Sequence, residues 1–533
     1  MDKFPSATDK SMAPVDAEQV AEGHAVEVSM TIKEGLRKYW KATLWSAFLS
    51  LAVIMEGYDA IVLSSLFGLP AFKEGFGTEN VEGKWNIGAQ WQSAVTQGVK
   101  VGQFFGLFIA GWAADKFGFK KTTLVTCVIA AGLIFMQFFC TSIGMLVAAQ
   151  VLFGFPLAVF LTLTTVYAAE ICPLVLRPYL TTWVNLCWTI GKILAAGVLR
   201  AFVTSHSHWA YRIPFGTQWI WPPIIFVGTL FLPESPWFLV RQDRLEDARK
   251  SLRRLYSGVD PDEIENKLAE IILTNRHEME LQAGTSYLDC FRGTNLRRTE
   301  IACITWVIQP VCGFAIVGFA TYFFQEAGLD PSDSFSMSLG QQAIAFCGGI
   351  IGWFLLPHFG RRRLMLYGLV ASCITQTIVG GLGIPAPKAG IAWATGAVLF
   401  IYVFMYSMTI GPLCYIVVAE IGASRLRSKT AALARNAYQV ATIASGVLTS
   451  YQINSSAWNW RGKAGFFWGG ANAILFVYCY FRLPEIKDRT FLELDLLFEH
   501  NINARKFKNT NVDVLQGVTG ERTVGQEWSE EKA

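Results

Sequence analysis

Five charged side chains lie well inside the long apolar runs of this 533-residue sequence, namely Glu56, Asp59, Lys100, Lys192 and Arg435. Arg200 stands near the end of its run and is counted below with the loop that follows it. A charge at the centre of a bilayer costs at least about 2.5 kcal/mol on insertion scales, so each residue is a candidate functional group. Glu56 and Asp59 are three positions apart and would project from neighbouring faces of a helix. Two carboxyl groups held close together in a medium of low dielectric constant do not both ionise readily. This spacing therefore suits a proton carrier.

The three basic residues can serve these acids or a ligand. Arg435 is the one charged residue of its apolar run. We expect it to pair with Glu56 or Asp59 while the acid is ionised and to release it on protonation. The alternative is a structural role, in which Arg435 or Lys100 holds the two acids. Three interpretations of Lys192 stay open: it donates to sugar hydroxyls, binds the carboxylate of an acidic ligand, or pairs with Asp59.

The composition places these charges in a membrane protein. The sequence is 52% hydrophobic and 16% charged, with a mean hydropathy of +0.35, whereas a soluble domain carries roughly 25% charged residues. These values exclude a soluble enzyme, a disordered protein and a secreted disulfide scaffold. Most of the 11 cysteines fall in apolar runs, where they behave as small apolar residues. The net charge of +4 is too small to indicate a nucleic-acid partner.

The elements that hold the five charges are predicted transmembrane helices. A helix needs about 20 apolar residues to cross a bilayer, and the chain contains twelve such runs, spaced six plus six. We predict an all-α membrane protein with twelve transmembrane helices in two six-helix bundles. The runs are 42–67, 93–114, 122–141, 144–169, 180–203, 213–232, 301–325, 334–356, 364–382, 391–419, 430–451 and 464–481.

The basic residues set the expected orientation. With both termini cytoplasmic, the cytoplasmic segments hold 35 Lys and Arg and the outer segments hold 7, which agrees with the positive-inside rule. The bilayer is the obligatory partner. The predicted divisions are a cytoplasmic tail, the N-terminal bundle, a cytoplasmic central loop, the C-terminal bundle and a second cytoplasmic tail, at 1–41, 42–233, 234–300, 301–483 and 484–533.

A weak internal repeat relates the two halves. GWAADKFGFKK at 111–121 corresponds to FGRRR at 359–363, and PESP at 233–236 corresponds to PEIKDRT at 484–490. Each match puts acids and arginines at cytoplasmic helix ends, where they can pair across helices and lock the inner face while the outer face is open. Generic positive-inside anchoring is the alternative. The predicted gate residues are Asp115, Lys116, Glu170, Arg177, Glu234, Arg361, Arg362, Glu420, Arg425, Arg427 and Glu485.

Several motifs together carry a family resemblance. They are Gly57-Tyr58-Asp59, Asp115-Lys116-x-Gly118, PESPWFLV at 233–240, Gly411-Pro412 and PEIKDRT. Over roughly residues 40–500 the chain resembles the sugar porter family of the major facilitator superfamily. Within it, the chain looks most like the fungal α-glucoside (maltose-type) proton symporters. The stretches that carry this closer resemblance are 163–188, 218–222, 322–328, 424–440 and 454–470.

The resemblance implies a carrier rather than an enzyme. Two bundles would rock about a central site that binds near the midplane, with a proton as coupling ion and no metal or organic cofactor. Asp59 matches the acid that couples transport to protons in this family. The implied substrate is a small sugar, an α-glucoside such as maltose. We expect a monomer in the fungal plasma membrane.

The chain departs from its relatives at three polar positions. Gln150 stands where many sugar porters carry Arg, Gln103 where maltose-type symporters carry Glu, and Lys192 where they carry Gln. The first two changes remove expected members of the proton network, and the third replaces a residue expected to hydrogen-bond sugar. Three hypotheses therefore stay open: a proton symporter of α-glucosides, an uncoupled carrier or sugar sensor, and a porter of another solute, an acidic one among the candidates.

The sugar site is expected to combine hydrogen-bonding side chains with aromatic rings. Of the family's Gln-Gln pair in span seven only Gln309 remains, followed by Pro310, and Ala315 lies near the position of a family Asn. Gly411-Pro412 is expected to break span ten. The sequon at Asn454 lies in an outer loop. The predicted substrate-binding residues are Gln309, Tyr415, Lys192, Asn185, Trp188, Tyr322, Asn436 and Tyr438.

Overall fold

The computed structural model describes residues 31–79, 85–173, 175–258, 261–282, 286–355, 358–385, 388–423, 426–487, 489, 491–500, 502–508 and 510. This part of the chain is mostly helical. Its strands form one antiparallel hairpin in an outer loop, in which β1 (Thr78–Glu79) pairs with β2 (Trp85–Asn86) and Glu79 faces Trp85.

The described N-terminal half contains ten α-helices. They are α1 (Ile32–Lys38), α2 (Trp40–Leu49), α3 (Leu51–Leu66), α4 (Pro70–Phe76), α5 (Ala89–Phe117), α6 (Phe119–Phe138), α7 (Ile143–Ile171), α8 (Arg177–Phe202), α9 (Trp209–Thr217) and α10 (Trp221–Phe231). Helices α2 and α3 together make span one. Span six consists of α9, a 3-10 turn (Gln218–Ile220) and α10.

The central segment and the second half are also built of helices joined by short turns. The segment contains α11 (Pro236–Arg241), α12 (Leu245–Leu255), α13 (Pro261–Gln282) and a 3-10 turn (Tyr287–Phe291). The later helices are α14 (Gly293–Gln309), a π-turn (Pro310–Phe314), α15 (Ala315–Gly318), α16 (Ala320–Glu326), α17 (Pro331–Leu355), α18 (Arg361–Leu382), α19 (Ala389–Met408), α20 (Ile410–Ile421), α21 (Arg427–Ile453), a 3-10 turn (Arg461–Lys463), α22 (Ala464–Arg482), α23 (Phe491–Glu499) and a 3-10 turn (Ala504–Lys506).

Nine helices in the described residues are long and apolar enough to cross a membrane. The remaining three predicted spans are helical too, but they are less apolar or less continuous. Helices α5 and α21 carry internal cations, Lys100 and Arg435, and span six is interrupted by its 3-10 turn. Polar residues in a span face a bundle interior or a water-filled cavity, so Lys100 and Arg435 indicate that α5 and α21 border the centre.

The helix pairings repeat between the two halves. Helices α3 and α8 pack together as α14 and α21 do, α5 packs on α7 as α17 packs on α19, and α6 packs on α10 as α18 packs on α22. The two bundles meet through α8 against α17 and α5 against α21. The structure therefore repeats the relation that the weak sequence repeat indicates.

Glycines allow the helix pair that carries the central charges to approach closely. A Cβ atom at Gly57 would lie 2.0 Å from the backbone oxygen of Trp188, and one at Gly191 would lie 2.0 Å from that of Ile54. Small residues that bring backbones together are typical of membrane helix interfaces. This contact fixes Glu56 and Asp59 on α3 relative to Lys192 on α8.

Two spans break near the centre of the molecule. In span seven Gly313 has φ +93 within the π-turn, and Asn472 Nδ2 and Tyr402 Oη donate to the backbone oxygen of Cys312, at 2.9 and 3.1 Å. Span ten breaks at Thr409, which has φ −119 and ψ −85. The expected break near Gly411-Pro412 is thus present, in the turn before the proline, because Pro412 has no N–H to donate to the Met408 carbonyl. Such breaks are tolerated where protein groups satisfy the backbone.

The segments that flank the spans gather on one face. Lys38 Nζ lies 3.1 Å from Glu263 of α13, and the Lys38 carbonyl accepts a hydrogen bond from the backbone of Ser257. On the other half, Arg298 donates to the backbone oxygen of Leu494 in α23. The described residues before span one and after span twelve therefore share a face with the central segment. The distribution of Lys and Arg identifies that face as cytoplasmic.

Candidate substrate and proton pathway

Asp59 is buried inside the N-terminal bundle. Its side chain is 1% exposed, and Oδ1 accepts a hydrogen bond from Gln218 Nε2 of span six at 3.1 Å. Gln218 lies 3.4 Å from Gln137 of α6, and Gln150 of α7 stands beside the carboxyl group. The side chains around Asp59 are neutral amides from three other spans. A buried carboxylate is stable only when it is paired, hydrogen-bonded or protonated. Gln218 satisfies Oδ1, whereas among the described residues Oδ2 has no hydrogen-bond partner.

Glu56 belongs to a different cluster on the same helix. Its Oε1 accepts a hydrogen bond from Gln103 Nε2 at 2.8 Å and lies 3.7 Å from Lys100 Nζ. Lys100 in turn donates to Gln103 Oε1 at 2.9 Å. Gln103 therefore bridges Glu56 of α3 and Lys100 of α5. Its amide N–H donates to the carboxylate, and its amide oxygen accepts from the ammonium. Lys100 pairs with Glu56 here in place of Arg435.

Arg435 lies across the bundle interface, among aromatic rings. Its guanidinium carbon is 4.8 Å from the Trp306 ring centroid and 4.9 Å from that of Tyr438. Trp306 also packs edge-on against Tyr415, with ring centroids 4.6 Å apart. Glu56 of the opposite bundle acts electrostatically on Tyr415 and Tyr438. Because Tyr415 is 44% exposed in this setting, it borders water-accessible space between the bundles.

Lys192 lies on the N-terminal side of the same space. It is 6% exposed, and its Nζ is 3.4 Å from the Trp188 ring centroid and 5.2 Å from that of Phe314 in the span-seven break. Its electrostatic neighbours are Lys100 and Glu56. The structure places Lys192 with the Glu56 cluster and away from the amides around Asp59, so it does not pair with Asp59.

The other predicted sugar-site residues separate into two groups. Gln309 Nε2 donates to the backbone oxygen of Gly411 at 2.8 Å, so this side chain holds spans seven and ten together at the breaks. Asn185 and Asn436 are half-buried on α8 and α21. Tyr322 is 1% exposed at the outer end of span seven, with Lys73 Nζ 5.6 Å from its ring centroid. The structure therefore puts Tyr322 in the outer closure and does not bring it together with Lys192.

Hydrogen bonds between the bundles close the outer end. Gln325 accepts from Lys73 at 2.9 Å and donates to the backbone oxygen of Gly68 at 2.7 Å, while Ser65 and Thr321 lie 3.1 Å apart. Further inter-bundle bonds join Asn86 to Ser455, Asn454 to the Ile87 backbone, and Arg200 to Ser336. Sequence reasoning assigned none of these residues to an outer closure: it offered Tyr322 as a substrate contact and Asn454 as a sequon of an outer loop.

Asn454 is part of this closure. Its side chain is 0% exposed, and Nδ2 donates to the backbone oxygen of Ile87 at 2.9 Å. The amide nitrogen that a glycan would modify is therefore engaged in a bond between the bundles.

On the inner face the described gate residues pair within one half. Glu170 accepts from Arg241 at 2.9 Å and from the Ser235 hydroxyl, and Arg361 donates to Glu420 at 3.4 Å. Lys116 lies over the rings of Trp112 and Phe117. Arg362 donates to the Tyr480 backbone, and the Asp115 carbonyl accepts from Gln242. Arg425, and the side chains of Arg177 and Arg427, lie outside the described residues.

Glu234 and Glu485 occupy equivalent places in the two halves. Glu234 Oε1 accepts from the Phe119 backbone at 2.8 Å, at the start of α6, and Glu485 Oε1 accepts from the Arg361 backbone at 2.8 Å, at the start of α18. A carboxylate at a helix N-terminus satisfies an unpaired N–H group and complements the helix dipole. Burial raises the pKa of Glu234, and backbone N–H groups of Phe119 and its neighbours oppose that rise.

The geometry is that of an alternating-access carrier open toward the cytoplasm. The outer end is sealed by bonds between bundles, the described inner pairs each stay within one half, and the charged centre lies between them. The fold and this site define a membrane transporter of two repeated helical bundles.

The chain matches the sugar (and other) transporter family over residues 45–498, and it belongs to that family. It is 39% identical over 498 residues to the general alpha-glucoside permease of Saccharomyces cerevisiae, covering 92% of this chain and 81% of the relative. It is 38% identical over 519 residues to a maltose permease of the same species, covering 96% and 84%. The inward-open xylose transporter XylE of E. coli superposes with a TM-score of 0.68 at 17% identity, over 86% of this chain and 99% of that one.

These similarities confirm the predicted family, the twelve-helix fold and a sugar transporter in place of an enzyme. Sequence reasoning missed Gln137 and Gln218 beside Asp59, and Trp306 and Phe314 beside the cations. Gln218 lies in the QWIWP stretch that supported the resemblance, which was a usable signal. Trp306 precedes Gln309 by three residues on α14 and so shares its side of the helix.

Proposed function

We propose that this chain imports α-glucosides such as maltose together with a proton, by alternating access. The permease names of its relatives support the substrate class. The observation that carries the coupling is Asp59, an acid that is 1% exposed and accepts its hydrogen bond from the neutral Gln218 amide. The proton is the coupling ion, and the transport cycle needs no other cofactor.

Asp59 binds the transported proton in this mechanism. Uptake of a proton removes the cost of a buried negative charge inside the N-terminal bundle, which permits the bundles to rock. Water that enters from the cytoplasmic side then takes the proton away. Glu56 keeps Lys100 and Gln103 at the interface, so its cluster stays neutral overall while Asp59 changes charge.

The sugar site lies between the Lys192 and Arg435 sides of the central space. Trp188 of the N-terminal bundle, and Phe314 and Tyr415 of the C-terminal bundle, offer aromatic faces for the C–H surface of a sugar ring. Because these rings belong to both bundles, a bound sugar bridges the surfaces that move apart and together. Gln309 acts on this site by holding Gly411 at the span-ten break.

Uptake of labelled maltose with simultaneous recording of external pH tests the proposal. Cells that express the chain should take up maltose faster at acidic pH and should alkalinise the medium during uptake. Asp59→Asn should abolish the alkalinisation, whereas Glu79→Gln, which removes an exposed acid of β1, should leave it unchanged. Maltose uptake without any proton movement in the unmodified chain would favour the uncoupled carrier, and ligand-dependent signalling without uptake would favour the sensor.

The cellular setting follows from the same proposal. An importer of an external disaccharide driven by an acidic outside works in the plasma membrane, here of a fungus. The transport path lies within one chain, between its own two bundles, so the functional unit is a monomer. We place the bundles at residues 42–233 and 301–483, joined by the cytoplasmic segment 234–300.

A further inference from the structure

The space between the bundles has more positive than negative side chains. Lys100, Lys192 and Arg435 surround it, against Glu56 and the more deeply buried Asp59. Even with both acids ionised, the three cations leave one positive charge unbalanced. An isolated buried charge is costly unless it is paired, so this arrangement favours a negative partner from outside the chain.

Lys192 is the cation with the fewest protein partners. It is 6% exposed, its Nζ contacts the Trp188 ring face, and among the described residues no acid lies within 4 Å of it and no acceptor hydrogen-bonds it. A lysine ammonium has three donors, and a ring face satisfies none of them as an oxygen would. The nearby acid, Glu56, is already bound by Lys100 and Gln103.

Within the described part of the chain, the neighbours that contact the Lys192 ammonium are aromatic ring faces and not a protein counter-ion. Its other ring contact, Phe314 at 5.2 Å, sits in the π-turn of span seven in the opposite bundle. Lys100 repels Lys192 electrostatically. An anion placed near both cations would offset this repulsion. The aromatic faces of Trp188 and Phe314 around the ammonium suit a sugar that carries the anion.

We propose that the preferred substrate is an α-glucoside that carries one carboxylate, and that the Lys192 ammonium binds this carboxylate. The inference rests on the proposed function, because it takes the α-glucoside site as given and adds the charge of the ligand. A monoanion balances the unpaired cation, and its carboxylate oxygens accept the ammonium N–H donors in charge-assisted hydrogen bonds. The glucosyl ring then packs on the aromatic faces.

Two ligands that differ in one group provide the test. Maltobionate and maltitol share an α-glucosyl group and an open-chain residue, and maltobionate has a carboxylate where maltitol has CH2OH. We expect the purified full-length chain to bind maltobionate at least tenfold more tightly than maltitol, about 1.4 kcal/mol, in isothermal titration at constant pH. Equal affinities, a preference for maltitol, or no binding of either ligand would overturn the proposal.

Variants then assign the preference to one side chain. Lys192→Gln should bring the two affinities within twofold by weakening maltobionate, and Lys192→Arg should restore the preference. Lys388→Gln, which removes an exposed cation of an outer loop, should retain it. A preference that survives Lys192→Gln would contradict the role of this residue. Proton-coupled maltose uptake measured on the same preparations decides the proposed function separately, since it does not depend on the carboxylate.

Discussion

The outer closure gives a prediction whose size can be worked out from its bonds. Gln325 joins the bundles through two hydrogen bonds, from Lys73 at 2.9 Å and to the Gly68 backbone at 2.7 Å. A neutral hydrogen bond contributes about 1 kcal/mol and one to a charged group about 1.5–3 kcal/mol. Because Lys73 keeps its contact with the Tyr322 ring when Gln325 is removed, we take the lower value for the bond to Lys73. The two bonds of Gln325 together then contribute about 2.5 kcal/mol. Because both bonds exist only when the outer end is closed, Gln325→Ala should shift the equilibrium toward the outward-open state by roughly 60-fold.

Thiol labelling from outside the cell measures this shift. Ser65 is 3% exposed and faces Thr321 across the closure, so Ser65→Cys provides a thiol that a membrane-impermeant reagent reaches only when the outer end opens. Adding Gln325→Ala to Ser65→Cys should increase the labelling rate roughly 60-fold, and the chain without Ser65→Cys gives the background of the native cysteines. Gln90→Ala, at an exposed outer position of α5, should leave the rate unchanged. A change of less than threefold with Gln325→Ala would refute the assignment of these bonds to the outer lock.

Three further predictions concern packing, capping and modification. Gly191→Ala should reduce transport more than tenfold, because the added Cβ would meet the Ile54 backbone oxygen at 2.0 Å. The control Gly197→Ala, on the same helix, places its Cβ in open space and should transport normally. Equal activities of the two variants would contradict the close helix contact. Glu234→Ala should lower the unfolding free energy by about 1–2 kcal/mol, because the Glu234 carboxylate no longer caps the N-terminus of α6. The loss should appear as a lower midpoint of thermal unfolding in detergent, and an unchanged midpoint would count against the cap. Asn454 should carry no glycan, so glycosidase digestion should leave the apparent mass unchanged; a mass shift that Asn454→Gln abolishes would show otherwise.

The twelve-helix fold was predictable because the bilayer imposes a simple rule on the chain. Each span must be about 20 residues long and apolar, and the basic residues mark the cytoplasmic side. The breaks were harder to place. The Gly411-Pro412 pair indicated a break in span ten, but not that the irregular residue is Thr409, in the turn before the proline.

The partners of the charged residues depended on packing that no single span reveals. The sequence picked out Glu56, Asp59 and Arg435 because charges are rare in apolar runs. It could not assign Lys100 to Glu56, because that pairing depends on the crossing of α3 and α5 and on the Gln103 bridge. Amides are abundant in the spans, so the partners of Asp59 emerge only when spans three, four and six come together.

Tyr322 shows that a motif does not give the depth at which a side chain lies along its span. It belongs to a stretch that resembles the maltose-type symporters, which suggested a substrate contact. In the structure its ring lies near Lys73 at the outer end of span seven, on α16, which packs against α3. A role of Tyr322 in substrate binding stays a prediction.

Transport in proteoliposomes tests the central claim, that Asp59 couples sugar movement to protons. With maltose on both sides and no pH gradient, exchange of labelled maltose should occur in both the unmodified chain and Asp59→Asn, since exchange needs the site but no net proton transfer. With an acidic outside, the unmodified chain should accumulate maltose above its external concentration, and Asp59→Asn should only equilibrate it. Accumulation driven by the pH gradient in Asp59→Asn would contradict the claim.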